Sequence, residues 1–218
     1  MQSYLDKSDD YFSHARQEIL PLLPPNCGRV LELGCGSGAT LGWLRQTQKS
    51  AYTVGIEIAE AAAIAARARA DEVHWVDFER ADISISRQKF DVILCLDVLE
   101  HMINPWSVVD RLASNYLAEG GKLIVSLPNV RHYSVVFPLL FGGRWEYADA
   151  GLLDRTHLRF FTRDSALQLL SHAELGAPTC TATGFDGLSS KRLFNVFTLG
   201  LFRELLTYQY YLAAHKVG

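Results

Sequence analysis

Glu32, Gly34, Gly36 and Gly38 sit in one run, Val30-Leu31-Glu32-Leu33-Gly34-Cys35-Gly36-Ser37-Gly38, where an apolar strand passes straight into a glycine-rich turn. Glycines at alternate positions let the backbone bend sharply and let a ligand approach main-chain atoms that a side chain would cover. A helix-forming segment, 39–46, follows at once, so the turn lies at a helix start, where amide N–H groups lack intrahelical partners. The chemistry this permits is nucleotide binding. A tight connection in any α/β protein looks much the same, and the two-and-two glycine spacing departs from the dinucleotide fingerprint. The acids decide between these. Tyr52-Thr53-Val54-Gly55-Ile56-Glu57 is a second strand ending in a carboxylate. It stands about 20 residues beyond the glycines, the offset at which an acid meets ribose hydroxyls and repels a 2′-phosphate.

Asp77 and Asp97 end two further strand-like runs, 73–76 and 90–96. Glu32, Glu57, Asp77 and Asp97 thus fall at the C-terminal ends of predicted parallel strands, the edge at which open α/β sheets take their ligands. Such a set suits a ligand rich in hydroxyl and amine donors. No lysine or arginine is close to the glycine turn along the chain, so a phosphate is poorly served. An adenosine with a positively charged amino-acid tail matches the polarity. Asp91, near the start of its strand, belongs to the opposite edge and reads as structural.

The elements that must position these groups follow from periodicity. Residues 9–23 carry apolar side chains at helical spacing until Pro24-Pro25 stops them. Strands 29–33, 52–58, 73–76, 90–96 and 122–127 alternate with helices 39–46, 59–70 and one opened by Pro105, which implies right-handed βαβ units and a parallel sheet. The uninterrupted apolar run 90–96 is what a central strand buried on both faces requires. Residues 129–161 mix aromatics, glycines and charges, too long for a plain connection and suited to a lid. A helix from the Thr162 cap to 173, a strand over 178–185, an apolar helix over 193–206 with core burial expected, and a strand over 208–215 complete the reading. The organisation predicted is one domain over 1–218, with an N-terminal helix in 1–25 and the insertion at 129–161.

The chain has 218 residues, 49% apolar and 21% charged, with a net charge of −3, as expected of a globular protein without nucleic-acid partners. No stretch reads as a signal peptide or a membrane span. Four cysteines at 27, 35, 95 and 180 show no paired spacing, and seven histidines show no metal-ligand pairing at helical offsets. The expectation is a reduced, cytoplasmic, metal-free protein, monomer or homodimer.

These motifs together resemble the class I S-adenosylmethionine-dependent methyltransferases. Residues 30–38 match the family's first motif and Gly55-Ile56-Glu57 its second. Asp77-Phe78 matches the adenine-contact motif, Phe90-Asp91 through Glu100-His101 the fourth-strand motif, and Gly120-Gly121-Lys122-Leu123 the fifth-strand motif. The segment Gly151-Leu152-Leu153-Asp154-Arg155-Thr156-His157-Leu158-Arg159-Phe160-Phe161-Thr162 is similar to one in a bacterial branch of that family. The resemblance implies a Rossmann-like α/β fold: a seven-stranded, mainly parallel sheet with an antiparallel last strand, helices on both faces, and a lid after strand five. It implies S-adenosylmethionine as cofactor, S-adenosylhomocysteine as product and a small-molecule acceptor. By the same resemblance Gly34, Cys35, Gly36 and Gly38 underlie the methionine and ribose, Glu57 with Ile58 the ribose, and Asp77 with Phe78 the adenine. Asp97 and Glu32 then serve the methionine end.

Methyl transfer from a sulfonium needs alignment of the nucleophile, exclusion of water and, for an oxygen acceptor, a base. His132, just past strand five, and His157, in the Asp154-Arg155-Thr156-His157 run, are the candidate bases. His101 reads as a local packing or acceptor-contact residue. Tyr133, Trp145 and Tyr147 are candidates to line the acceptor pocket. Arg155 and Arg159 are candidates to bind an acidic acceptor, with an internal ion pair to Asp149 or Asp154 as the alternative. A nicotinamide-dependent oxidoreductase and a non-catalytic nucleotide-binding module are the rival readings.

Overall fold

The computed structural model describes residues 14–81, 85, 88–171, 174–183 and 190–218. Seven strands form one sheet: β1 (Arg29–Leu33), β2 (Tyr52–Glu57), β3 (Glu72–Trp75), β4 (Phe90–Leu96), β5 (Leu117–Pro128), β6 (Thr179–Ala182) and β7 (Gln209–His215). Their order is β3-β2-β1-β4-β5-β7-β6. β1 pairs in parallel with β2 on one side (Leu31 opposite Val54) and with β4 on the other (Leu31 opposite Ile93). The connections therefore leave β1 in opposite directions, and the crevice beyond its C-terminal end is the sheet's topological switch point. β7 runs antiparallel to both β5 and β6.

The apolar pattern explains the layering. Val92, Ile93, Leu94 and Cys95 of β4 are fully buried, the odd and even members serving different faces. Leu31, Leu33, Ile93 and Cys95 pack with Val108 and Val109 of α3 (Pro105–Arg111) and Leu169 of α5 (Arg163–Leu169). Val30, Val92, Leu94 and Ile124 face the other way, onto Leu41 and Leu44 of α1 (Ala39–Gln46) and Ala66 of α2 (Glu60–Ala66). At the sheet's lower edge Asp91 accepts the Arg29 N–H at 2.8 Å. The four cysteines are free. Among the described residues no helix is long and apolar enough to cross a membrane.

Several elements differ from the sequence expectation. The described part of the N-terminal helix is one 3-10 segment, Gln17–Leu22, with Pro21 inside it; residues 9–13 lie outside the described residues. Proline cannot donate the bond that a longer helix needs there. The insertion contains a helix, α4 (Tyr133–Gly142), capped by His132 and closed by Gly143 in the left-handed region. The apolar segment 193–206 is two helices, α6 (Ser190–Phe197) and α7 (Arg203–Leu206), separated where Leu199 and Gly200 take positive φ. Its expected core burial is overturned: Leu193, Phe197, Leu199 and Leu201 are all exposed, Leu199 at 96%. The buried clusters on the two faces of the sheet contain none of its residues. β6 is shorter than 178–185, and residues 184–189 lie outside the described set, as do 172 and 173 at the end of the helix expected after Thr162.

Gly34 marks where the sheet hands over to the site. Its φ is +70°, and an added Cβ would lie 2.6 Å from Val98 Cγ2. A left-handed conformation costs a non-glycine residue roughly 1–2 kcal/mol before any contact is counted. Gly34→Ala is therefore expected to lower unfolding free energy by at least about 2 kcal/mol. Urea titration should show a lower midpoint at an unchanged slope; an unshifted midpoint would contradict this account of the turn.

Candidate cofactor and acceptor site

The turn after β1 is held from below by one carboxylate. Glu57, at the end of β2 and 1% exposed, accepts the Gly36 N–H on Oε2 (2.8 Å) and the Ile58 and Ala59 N–H groups on Oε1 (2.9 and 2.8 Å). Burial raises its pKa, while these three amides pull it back down. Gly34 and Cys35 donate to the Ile56 carbonyl at 2.8 and 3.1 Å. Gly36 and Gly38 take φ of +53° and +75°. Gly38 packs so closely on Ala66 that a Cβ would meet its Cα at 3.1 Å. The glycines thus serve turn geometry and helix–helix contact as well as ligand approach.

Two cavities open at the C-terminal edge and share Gly34 and His101. One, of about 290 Å³, is walled by Leu33, Val76, Val98, Met102, Ile103 and Leu158, with Glu57, Ile58 and Asp77 at its polar margin. Its size and apolar walls suit a flat heteroaromatic base beside a polyol. Phe78 also lines it, but the ring is 3% exposed, tilted against Tyr116 at 5.9 Å and covered by the Arg111 guanidinium at 3.8 Å. Asp77 Oδ1 accepts the Glu79 N–H at 3.0 Å, and its Oδ2 lies 3.5 Å from Arg80 Nε.

The other cavity, of about 270 Å³, is polar: Arg16, Glu32, Thr40, Asp97, Glu100, Asp154, His157 and Gln209 contribute, with Cys35 and Gly36 on its floor. Glu32 is 3% exposed and hydrogen-bonds Thr40, and its Oε2 has no hydrogen-bond partner among the described residues. Burial pushes its pKa up to about 8, against the Thr40 bond and the Arg16 charge. Asp97 has φ +53°, an uncommon conformation for a non-glycine residue. Ser126 Oγ donates to its Oδ1 at 2.7 Å, and the Gln209 amide and Arg16 guanidinium also bind it.

Arginine is closer to the turn than the linear sequence indicates. Arg16 enters from the N-terminal segment, and Arg69 binds the Ser37 carbonyl and hydroxyl at 2.9 and 2.7 Å. Arg69 ties the turn from beneath and lines neither of these two cavities, and Arg16 is paired with Asp97.

Of the acceptor-side candidates, His157 and His101 reach the cavities, and Arg155 reaches the apolar one while its Nε donates to Asp149 at 2.9 Å. His132 is buried, 4% exposed, with Nδ1 2.8 Å from Ser134 Oγ at the start of α4, and its ring lies edge-on to Tyr208. Tyr208, not His132, lines the polar cavity. Tyr133 packs on His132 and Phe137, and Trp145 on Phe160. Tyr147 is half exposed, and the Arg159 guanidinium donates to the Leu158 and Ile103 carbonyls. None of these five lines either cavity.

The fold also gathers what the sequence scatters. Glu100, His101 and His157 bring one ligand atom each to within 4.8 Å of one another. The Glu100 carbonyl accepts the Leu158 and Arg159 N–H groups at 2.8 and 3.0 Å, which lays the insertion's end beside the turn after β4. Arg16, Thr40 and Gln209 were not singled out from sequence. Glu100, an acid beside a histidine in the fourth-strand motif, and Asp154, in the run before His157, carried a signal there.

A family model described as a methyltransferase domain matches residues 4–176. A ubiquinone biosynthesis O-methyltransferase from Glaesserella parasuis is 34% identical over 116 residues, 46% of this chain and 45% of that protein. One of the same name from Coxiella burnetii is 28% identical over 154 residues, 65% of this chain and 64% of that protein. The chain thus spans about half to two thirds of the length of these curated relatives. Among solved structures, a SAM-dependent methyltransferase from Archaeoglobus fulgidus superposes with a TM-score of 0.69 at 16% identity, covering 99% of this chain and 97% of the other. The plantazolicin methyltransferase BpumL, solved with a pentazolic desmethylPZN analog and SAH, gives 0.62 at 19% identity, covering 100% and 85%. With sheet order, glycine turn and family match in agreement, this chain belongs to the class I S-adenosylmethionine-dependent methyltransferases.

Proposed function

We propose that the protein transfers a methyl group from S-adenosylmethionine to an oxygen or nitrogen of a small-molecule acceptor. The observation that carries this reading is the pairing of the two cavities across Gly34: one apolar and base-sized, the other bearing four carboxylates, Glu32 and Asp97 among them, and the Arg16 guanidinium. The cofactor supplies a methyl group already activated on a sulfonium. Asp77 and the apolar walls receive the adenine. Glu57 receives the ribose: a carboxylate accepts about four hydrogen bonds, and three are made to amides, so one hydroxyl adds directly and a second shares or replaces the Gly36 bond. The unpartnered Oε2 of Glu32 takes the ammonium of the amino-acid end, and Arg16 takes its carboxylate. A pyrophosphate finds no such complement, since the same floor presents buried acids.

His157, rather than His132, faces the space left for an acceptor, and the Glu100–His101–His157 group is where the acceptor's proton is managed. His132 acts as a helix cap behind Tyr208. The names of the curated relatives and of the plantazolicin enzyme agree with a small-molecule acceptor.

Three measurements test the assignment. Calorimetric titration with S-adenosylhomocysteine should show Glu57→Ala weakening affinity at least tenfold, about 1.4 kcal/mol; equal affinity removes the ribose role. Because burial keeps Glu32 protonated and an arriving ammonium favours its carboxylate, cofactor binding should release a proton near pH 7. Affinity should then rise with pH and level off above about 8. Repeating the titration in buffers of different ionisation heat reads the released proton directly, and Glu32→Gln should abolish it. Finally, S-adenosylhomocysteine release should be screened over phenols, carboxylates, amines and sugars. With any active acceptor, His157→Ala should lower kcat more than cofactor affinity, whereas His132→Ala should mainly lower Tm; the opposite pattern would return His132 to the acceptor side.

A further inference from the structure

We propose that the exposed apolar face carried by α4 and by residues 190–206 docks the protein onto an anionic lipid surface. The inference does not depend on the methyltransferase reading. In α4, Phe137, Leu140 and Phe141 stand at i, i+3 and i+4 and are all exposed. In α6, Leu193, Val196 and Phe197 repeat that spacing, with Phe197 at 87% exposure. Such a stripe is how a helix ordinarily meets a protein core, yet both stripes here meet solvent. α7 packs against α4 and so joins the two segments, and the turn between α6 and α7 adds Leu199 and Leu201, also exposed. Single exposed leucines are ordinary, but a group gathered on adjoining helices marks a surface that another molecule or phase covers.

The charges identify the cover. Residues 131–144 and 190–206 contain Arg131, Arg144, Lys191, Arg192 and Arg203 and a single acid, Glu204. That carboxylate takes the hydroxyl of the buried Tyr210. The two stretches therefore carry +4 (five cations, one acid) in a chain of net charge −3, which leaves −7 on the remainder (−3 minus 4). Apolar side chains interspersed with cations suit the headgroup region of an anionic bilayer. The leucines and phenylalanines enter the acyl boundary, and each cation near the surface adds attraction. A second copy of this chain is disfavoured, since a two-fold contact would set the same cations against one another.

The shape points the same way. Leu199, almost wholly exposed, takes a positive φ beside Gly200, and so projects from the surface rather than lining a groove. Acyl chains yield around a projecting side chain, whereas a protein partner needs a matching pocket. Asn129 Nδ2 holds the Glu204 and Thr207 carbonyls at 2.7 and 2.8 Å, which anchors α7 to the end of β5. Tyr208 follows at once and lines the polar cavity. The face therefore begins at that cavity's rim.

The test centrifuges the tag-free full chain with sucrose-loaded vesicles of phosphatidylcholine alone and of phosphatidylcholine mixed with phosphatidylglycerol. Partition into the mixed vesicles should exceed that into phosphatidylcholine at least tenfold and fall as salt is raised. Leu199→Asn combined with Leu201→Asn keeps a residue that tolerates the left-handed conformation at 199. That pair should lower partition at least tenfold at an unchanged Tm, and Phe141→Ser makes the same test from α4. Absence of binding to the mixed vesicles, or equal binding by the folded variants, overturns the proposal. So does a dimer in sedimentation velocity that the leucine pair abolishes while vesicles stay unbound, which would give the face to a second copy.

Discussion

The site depends on a carboxylate placed where it would otherwise be costly. Glu57 is buried beneath the turn and joins amides from two separate stretches of chain: Gly36 after β1, Ile58 and Ala59 after β2. Hydrogen bonds to a charged group contribute about 1.5–3 kcal/mol each, and three of them offset part of the desolvation of the carboxylate, whose pKa burial still raises. The result fixes the height of the glycine turn above the sheet and the start of α2 at once. Replacing this clamp by an apolar side chain would leave three amide N–H groups buried without acceptors. The acid that reads as a ligand contact is therefore also the keystone of the pocket's own shape.

Polarity then divides the cleft. On the β2–β3 side the walls are apolar, with Val76, Met102 and Ile103. On the β4–β5 side most wall residues are charged or polar, and Asp97 is engaged by Arg16, Ser126 and Gln209. That group is preorganised, while Glu32 and Glu100 each keep one oxygen without a hydrogen-bond partner among the described residues. The insertion after β5 closes over the same side through the Glu100 carbonyl, which holds residues 158 and 159. Its aromatic residues mostly pack among themselves, as with Trp145 on Phe160.

The fold was legible because its signals are local. Apolar runs bounded by Gly34, Glu57, Asp77 and Asp97 mark strand ends, and alternation with helices dictates a parallel sheet, which β1 to β5 form; the antiparallel β7 followed from the family resemblance and not from these runs. What stayed hidden depends on distance along the chain. Arg16 and Arg69 reach the turn from 18 and 35 residues away (Gly34 minus Arg16, Arg69 minus Gly34). Glu100, His101 and His157 lie in two segments that spacing rules for metal ligands do not connect. Residues 193–206 misled for another reason. Apolar composition reports what a segment would gain by burial, not whether a face of the sheet is still open to receive it.

Cys35 shares the floor of the polar cavity with Gly36, and its sulfur sits over Gly55, where an added Cβ would come within 2.6 Å. Burial, then the neighbouring Glu32 and Glu57, hold its thiol pKa well above the ordinary value. The thiolate is the reactive form of cysteine, so at neutral pH this sulfur is scarcely nucleophilic. A sulfonium held in that cavity would meet a thiol that is protonated and pinned, and so a poor target for methylation.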